Sequence, residues 1–117
     1  MIRNKVNTSS YVTKDGSTIW EFLHPDSSQI RDTSIAEADL EPGQATMQHV
    51  HDRSQEVYYI LDGEGTMKLG DESFTVETGD AILIKPGTAH NVTASGRGMR
   101  ILCICTPPYS HDDTRHA

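Results

Sequence analysis

A surplus of positive charge is the first thing this chain lacks. Its 117 residues carry 10 Lys and Arg against 17 Asp and Glu, a net charge of −7 with histidine neutral. Nucleic-acid-binding domains present a basic patch or stripe. Here the basic residues are scattered, so DNA, RNA and anionic membrane are not expected partners, and the charge chiefly favours solubility. Long apolar runs are missing as well. No stretch approaches the ~18 residues of a membrane span, and residues 1–13 hold no apolar segment of the kind a signal peptide needs. A cytoplasmic location is therefore expected. Aromatic residues make up only 6%, which predicts one modest core that gains from a bound metal or a dimer interface. Cysteine is limited to Cys103 and Cys105. Two apart on a strand, they share a face but do not reach disulfide geometry, so buried reduced thiols are expected.

Helical periodicity and internal repeats are absent too. What is present is a run of short apolar segments separated by turn signals. Residues 17–23, 46–51, 65–69, 73–76 and 90–94 read as strands. So do 56–61 (EVYYIL), rich in β-branched and aromatic residues, and 100–105 (RILCIC). Residues 33–40 alternate, with Ala36, Ala38 and Leu40 on one face and Glu37 and Asp39 on the other, and 81–84 (AILI) read as a fully buried strand. Asp62-Gly63 is a hairpin signal, and Pro42-Gly43, Gly70-Asp71, Gly79-Asp80 and Pro86-Gly87 read as further turns. Many short strands with regular turns predict an all-β sandwich or barrel, architectures that protect sheet edges. Residues 1–15 read as a polar N-terminal arm, 16–106 as the barrel, and 107–117 as a tail packing on or near it.

Four residues carry chemistry. His49 and His51 lie two apart on one predicted strand, so both aim at the same side. Glu56 opens the next strand after a short turn, and a hairpin there sets it beside them. His90 arrives on a separate strand after the AILI segment. A lone histidine is most often an ordinary surface residue, but three imidazoles and a carboxylate in this arrangement suit one divalent transition metal. Imidazole fits Zn, Cu, Fe or Ni, and carboxylate fits Mn. Four protein donors on an octahedral ion leave two positions open.

The spacing is more specific than the residue types. It reads Gly43, five residues, His49, one, His51, four, Glu56, six, Gly63; then Gly79, Asp80, Pro86, Gly87, two residues, His90. This resembles the two motifs of the cupin superfamily, over residues 36–105. The first motif is matched in full. The second departs at Lys85, where the family's proline is displaced to Pro86, and at Ala94, where an asparagine is usual; neither touches the metal histidine. The resemblance implies a single-domain cupin jelly-roll β-barrel (double-stranded β-helix) with a metal near its mouth. It implies His49, His51, Glu56 and His90 as the ligands, a small-molecule substrate and a homodimer. Gln55 is the rival for the carboxylate position, but counting back from Gly63 favours Glu56, which shares a strand face with Tyr58 and Ile60.

Other candidates follow from alternation. Met47 is expected on the inward face with His49 and His51. Tyr58 and Arg100 are the candidate catalytic residues, Tyr58 as acid, base or hydrogen-bond donor and Arg100 as a carboxylate clamp. Trp20 and Phe22 are candidates for the mouth, Cys103 for inert packing in the barrel, and His24 and His116 for exposed positions. The ending PPYSHDDTRH resembles that of small single-domain cupins. Its His111, Asp112 and Asp113 are read as a polar cap ahead of a lid, a dimer contact or a weak second metal site. Because one glutamate leaves the site net positive, oxygen-dependent oxidation of a small anionic or chelating metabolite is the leading expectation. A redox-neutral isomerase or lyase acting on a sugar acid or hydroxy acid is the alternative, and a non-catalytic binding or sensor module is the third.

Overall fold

The computed structural model describes residues 1–117. Nine strands follow one another: β1 (Tyr11–Val12), β2 (Thr18–Leu23), β3 (Ser34–Leu40), β4 (His49–His51), β5 (Gln55–Leu69), β6 (Glu72–Glu77), β7 (Ala81–Ile84), β8 (His90–Thr106) and β9 (Thr114–His116). The only helical element is a single 3-10 turn, His111–Asp113, and no helix is long and apolar enough to cross a membrane. The order β1-β2-β3-β8-β4-β9 forms one path of the sheet, and β5 joins it by pairing with β8 as well as with β6 and β7. The result is an all-β sheet curled around its own interior, the jelly-roll architecture expected.

Two long strands make that curl, and here the structure departs from the strand boundaries read above. Asp62-Gly63 is not a hairpin turn. The strand β5 runs straight through it, antiparallel to β8 from Gln55↔Thr106 to Leu69↔His90, with register shifts at Ile60/Asp62 and Gly63/Gly65. Gly63 has φ of 91°, and a Cβ there would collide with the Gly98 carbonyl oxygen. The dipeptide marks a β-bulge that bends a long strand. A bulge glycine and a turn glycine read alike because both need positive φ. Residues 90–94 and 100–105 are likewise two halves of β8.

The actual hairpin signal lies earlier. Part of the expected arm forms β1, which pairs with β2 (Tyr11↔Ile19, Val12↔Thr18). The two are joined by a tight turn in which Thr13 N–H donates to Ser17 O and Gly16 N–H to Thr13 O, each at 3.0 Å. Gly16, at φ 90°, supplies the left-handed residue that closes it. This turn hangs Asp15 over the barrel interior.

The alternation of β3 holds. Ala38 and Leu40 are buried inward, and Ile19↔Ala38 and Trp20↔Glu37 pair across to β2. Ile19 and Glu21 therefore line the interior, and Trp20 and Phe22 do not. Trp20 instead sits on the outer face beneath Lys5 Nζ, 4.2 Å from the ring centroid. Lys5 also donates to Asp39 at 2.7 Å, pinning the start of the chain to the outside of β3. Inside, Leu40, Ile60, Met67, Ile84, Val92 and Ile101 anchor one apolar cluster that includes Tyr58. Each large side chain buried there contributes about 1.5–3 kcal/mol. Tyr58 also faces the polar part of the interior, so it marks where core ends and site begins.

Candidate metal centre

Strand β4 carries His49 and His51, and His90 opens β8 directly opposite His49. Glu56 comes from the start of β5. The expected hairpin between β4 and β5 does not form, because the edges of β4 are taken by β8 and β9. Glu56 pairs with Ile84 and Cys105 instead, and meets the histidines across the interior. All four residues are buried, His90 completely. Their donor atoms lie within 4.8 Å of one another. Gln55 is exposed on the other strand face, so the carboxylate in this cluster is that of Glu56.

The outer nitrogens of the three rings fix what the inner ones can do. His49 Nδ1 donates to Met47 O at 2.8 Å, and His90 Nδ1 donates to Thr88 O at 2.9 Å. His51 Nδ1 lies 2.9 Å from Thr114 Oγ1, whose own proton goes to Ser110 O, so this ring also donates outward. Each Nε2 therefore presents a lone pair to the interior. His51 Nε2 stands 3.1 Å and His90 Nε2 3.7 Å from Glu56 Oε1. His90 Nε2 is buried with no hydrogen-bond partner. Three imidazole nitrogens and a carboxylate converging, with His90 Nε2 unpartnered, is an arrangement that a cation satisfies, and outward hydrogen bonds of this kind orient metal-binding imidazoles. The cluster suits a divalent metal ion.

Charge in the centre follows the same logic. Burial alone would raise the Glu56 carboxyl, but the His51 and His90 imidazoles outweigh it and hold it at about 2. Burial lowers His49, and the neighbouring His90 imidazole adds to the shift. It would lower His51 too, but the Glu56 carboxylate reverses the shift. Glu56 Oε2 accepts from the Cys105 thiol at 3.2 Å. Burial drives both Cys103 and Cys105 upward, so both stay protonated and free.

The sequence-predicted residues separate into two groups. Tyr58 lines the cavity, its ring nearly perpendicular to that of His90 with centroids 6.0 Å apart. Cys103 lines it as well. Arg100 does not. It lies on the outer face, where its Nε and Nη2 donate to Glu37 at 3.0 and 3.2 Å, because it alternates with the inward-facing Ile101 and Cys103 along β8 and pairs in unbroken register with Asp39 of β3. Met47 is exposed rather than inward, because β4 begins only at His49 and Met47 contributes its backbone alone. His24 is half-buried, with Nε2 2.9 Å from Tyr109 O, and His116 is exposed on β9. The tail is a cap: Asp113 accepts from Arg53 N–H and Ser54 N–H at 2.9 and 3.0 Å, and β9 pairs with β4.

Asp15 and Tyr109 were not singled out by the sequence, and both line the cavity. Asp15 Oδ1 accepts from Ser17 N–H at 2.9 Å and Ser17 Oγ–H at 2.6 Å. Its Oδ2 makes no hydrogen bond and lies 3.7 Å from the inward nitrogen of His49. Asp15 O also accepts from Met47 N–H at 2.8 Å, which ties the turn to the residue that orients His49. The Asp-Gly dipeptide at 15–16 was the available signal. Tyr109 sets its ring edge-on to His51, centroids 5.9 Å apart, and its hydroxyl bonds Thr13 Oγ1 at 3.0 Å and His111 Nδ1 at 2.9 Å.

Comparison with known proteins agrees with the geometry. The family model of the cupin domain matches residues 36–105. An uncharacterized protein of Methanocaldococcus jannaschii is 48% identical over 105 residues, 89% of this chain and 84% of the relative. The solved structure of Pac13 from Streptomyces, a nucleoside dehydratase, is similar with a TM-score of 0.82 at 19% identity, covering 100% of this chain and 90% of that one. KdgF from Halomonas sp. is similar with a TM-score of 0.80 at 17% identity, covering 96% of each chain.

Proposed function

This chain belongs to the cupin family, and from that premise we propose that it is a metal-dependent enzyme of redox-neutral chemistry. It acts as a lyase or isomerase that removes and returns a proton on a small hydroxylated carbonyl compound. The observation that carries this reading is Asp15. Its carboxylate stands outside the four-donor cluster, with one oxygen fixed by Ser17 and the other free beside the metal-facing nitrogen of His49. A carboxylate so held, within reach of a ligand on the metal, is placed as a general base.

A divalent ion held by His49, His51, His90 and Glu56 would supply Lewis-acid polarisation of a substrate oxygen. The other residues orient and enclose. Ser17 keeps Asp15 in one orientation. Burial holds the Tyr58 phenol protonated, so it offers a donor from the floor of the cavity. Ser34, Ala36 and Ala38 form a wall of small side chains that leaves room for the ligand. Tyr109, anchored by Thr13 and His111, stands at the mouth. Pac13 is a nucleoside dehydratase, and dehydration is chemistry of the same redox-neutral kind, which supports the reading.

A second reading, oxygen-dependent oxidation, is favoured by the donor set itself, since three imidazoles and one carboxylate hold iron as well as zinc or manganese. The two separate in one experiment. Zinc-loaded protein is incubated without air in D2O with a panel of small hydroxycarbonyl compounds, and carbon-bound deuterium is followed by NMR. Exchange or elimination that persists without dioxygen is expected. A silent zinc form, with dioxygen consumed by the iron form, would assign the oxidative reading instead.

A further inference from the structure

We propose that the cavity selects an uncharged, hydroxyl-bearing ligand and turns carboxylates away, with Asp15 as the residue that sets this preference. The inference rests on the reading above only in placing the ligand at the metal centre. The sequence suggested a net positive site, because a single glutamate was in view. The structure adds Asp15, so two carboxylates now match the charge of a divalent ion, and Glu21 lines the same cavity.

No Lys or Arg lines the cavity to offset them. Arg100 and Lys5 are engaged with Glu37 on the outer face. Lys14 Nζ is held by the backbone oxygens of His111 and Thr114 at 2.6 and 2.9 Å. His24, whose Nδ1 accepts from Asp26 N–H at 3.1 Å, stands outside the cavity lining. An entering anion therefore meets no protein cation, and the net charge of −7 works against its approach.

The hydrogen-bonding surface points the same way. Ser17 Oγ is spent on Asp15 and Thr114 Oγ1 on Ser110 O. Thr46 Oγ1 accepts from Val92 N–H and Ser34 Oγ from Tyr109 N–H, so these hydroxyls, like the Tyr58 phenol, offer an entering group neutral donors and no charge. Asp15, itself buried, is left with Oδ2 as an acceptor that lacks a donor. A ligand hydroxyl supplies that donor; a ligand carboxylate cannot, and would face Oδ2 charge to charge.

Glycolamide and glycolate, which are nearly isosteric and differ by one charge, test the proposal. Their affinities for the cobalt-loaded protein are read from the visible spectrum, without turnover. In Asp15→Asn, where Asn Oδ1 can still accept from Ser17, the ratio of glycolate to glycolamide affinity should rise about 200- to 300-fold, as expected for removing a charge some 5 Å away at an effective dielectric near 20. Glu21→Gln should move the ratio in the same direction by a smaller factor, and the exposed-turn variant Asp71→Asn should leave it unchanged. A ratio unmoved by both Asp15→Asn and Glu21→Gln overturns the proposal, as does an equal shift in Asp71→Asn, which would make the effect one of net charge. Redox-neutral chemistry fails separately, in the anaerobic exchange experiment.

Discussion

Stripping the metal should lower the melting temperature by about 11 °C relative to protein held at a free metal concentration a hundredfold above its dissociation constant. Mass action at that ratio adds about 2.7 kcal/mol to the folded state. Unfolding entropy near 60 °C is about 2.1 cal/mol/K per residue, which over 117 residues comes to about 0.25 kcal/mol/K, and the quotient is the shift. The structural reason is that the metal-free interior gathers acceptors without donors. A buried polar atom left unpaired, as His90 Nε2 is, costs about 1–3 kcal/mol. His90→Ala removes that cost together with the ligand, while also losing the bond to Thr88 O, worth about 1 kcal/mol. Truncating a completely buried ring also leaves a cavity that costs about 2–5 kcal/mol, so the metal-free variant should melt below the metal-free parent, and its response to metal should collapse. Scanning calorimetry on chelator-treated protein, with and without added zinc, manganese or iron(II), reads both quantities. Equal melting of the parent with and without every metal would refute the reasoning, as would a full metal-induced shift retained in His90→Ala.

Other perturbations separate the site from the scaffold. Arg100→Ala should leave metal affinity unchanged and destabilise the fold by about 1 kcal/mol at pH 7, a figure kept low because the arginine is half exposed. Burial pushes the Glu37 carboxyl up, but hydrogen bonds with Arg100, Asp39 and Lys5 outweigh it and hold it at about 2 against an ordinary 4.5. A depressed carboxyl stabilises above its ordinary range and loses that contribution as pH falls toward about 2, so urea titrations of parent and variant should converge from pH 5 downward. A pH-independent gap would count against this account. Asp15→Asn should keep one metal per chain by elemental analysis while turnover falls about 10²–10⁴-fold; loss of the metal would make Asp15 a ligand instead. The homodimer is proposed to form on the outer face where exposed Tyr59 and Leu83 flank Val57, so Leu83→Glu should halve the mass found by sedimentation, and an unchanged mass would exclude that face.

How much of this was legible in the sequence depended on the range of the interaction. The four-donor cluster was readable because its spacing is local: His49 and His51 share a strand face, and Glu56 and His90 sit at fixed counts from glycines. Their convergence by an unexpected route, with Glu56 crossing the interior instead of closing a hairpin, left that reading intact. Strand parity was readable in β3, where Ala38 and Leu40 against Glu37 gave a clean alternation. It was not readable for Arg100, Trp20 or Met47. Arg100 alternates with Ile101 and Cys103, and only its pairing with β3 shows which of the two faces is inward, β2 offered apolar residues of both parities, and Met47 lies just outside its strand. Register is a property of paired strands, and one strand's composition does not contain it.

The two Asp-Gly dipeptides show where local chemistry stops deciding. Each supplies a glycine able to take positive φ, and each is compatible with a turn or a bulge. At 62–63 the apolar segments on both sides find one continuous partner in β8, so the chain runs on and the glycine becomes the bend. At 15–16 the flanking segments are short and pair with each other, so the chain reverses and the aspartate is delivered over the metal centre. The four-donor cluster is fixed by motif spacing, but a carboxylate that stands beside it, like Asp15, is placed by an edge hairpin far from the motif. The search for such residues therefore belongs at the turns that overhang a barrel mouth, where one short loop can change the charge of the cavity without altering a single ligand.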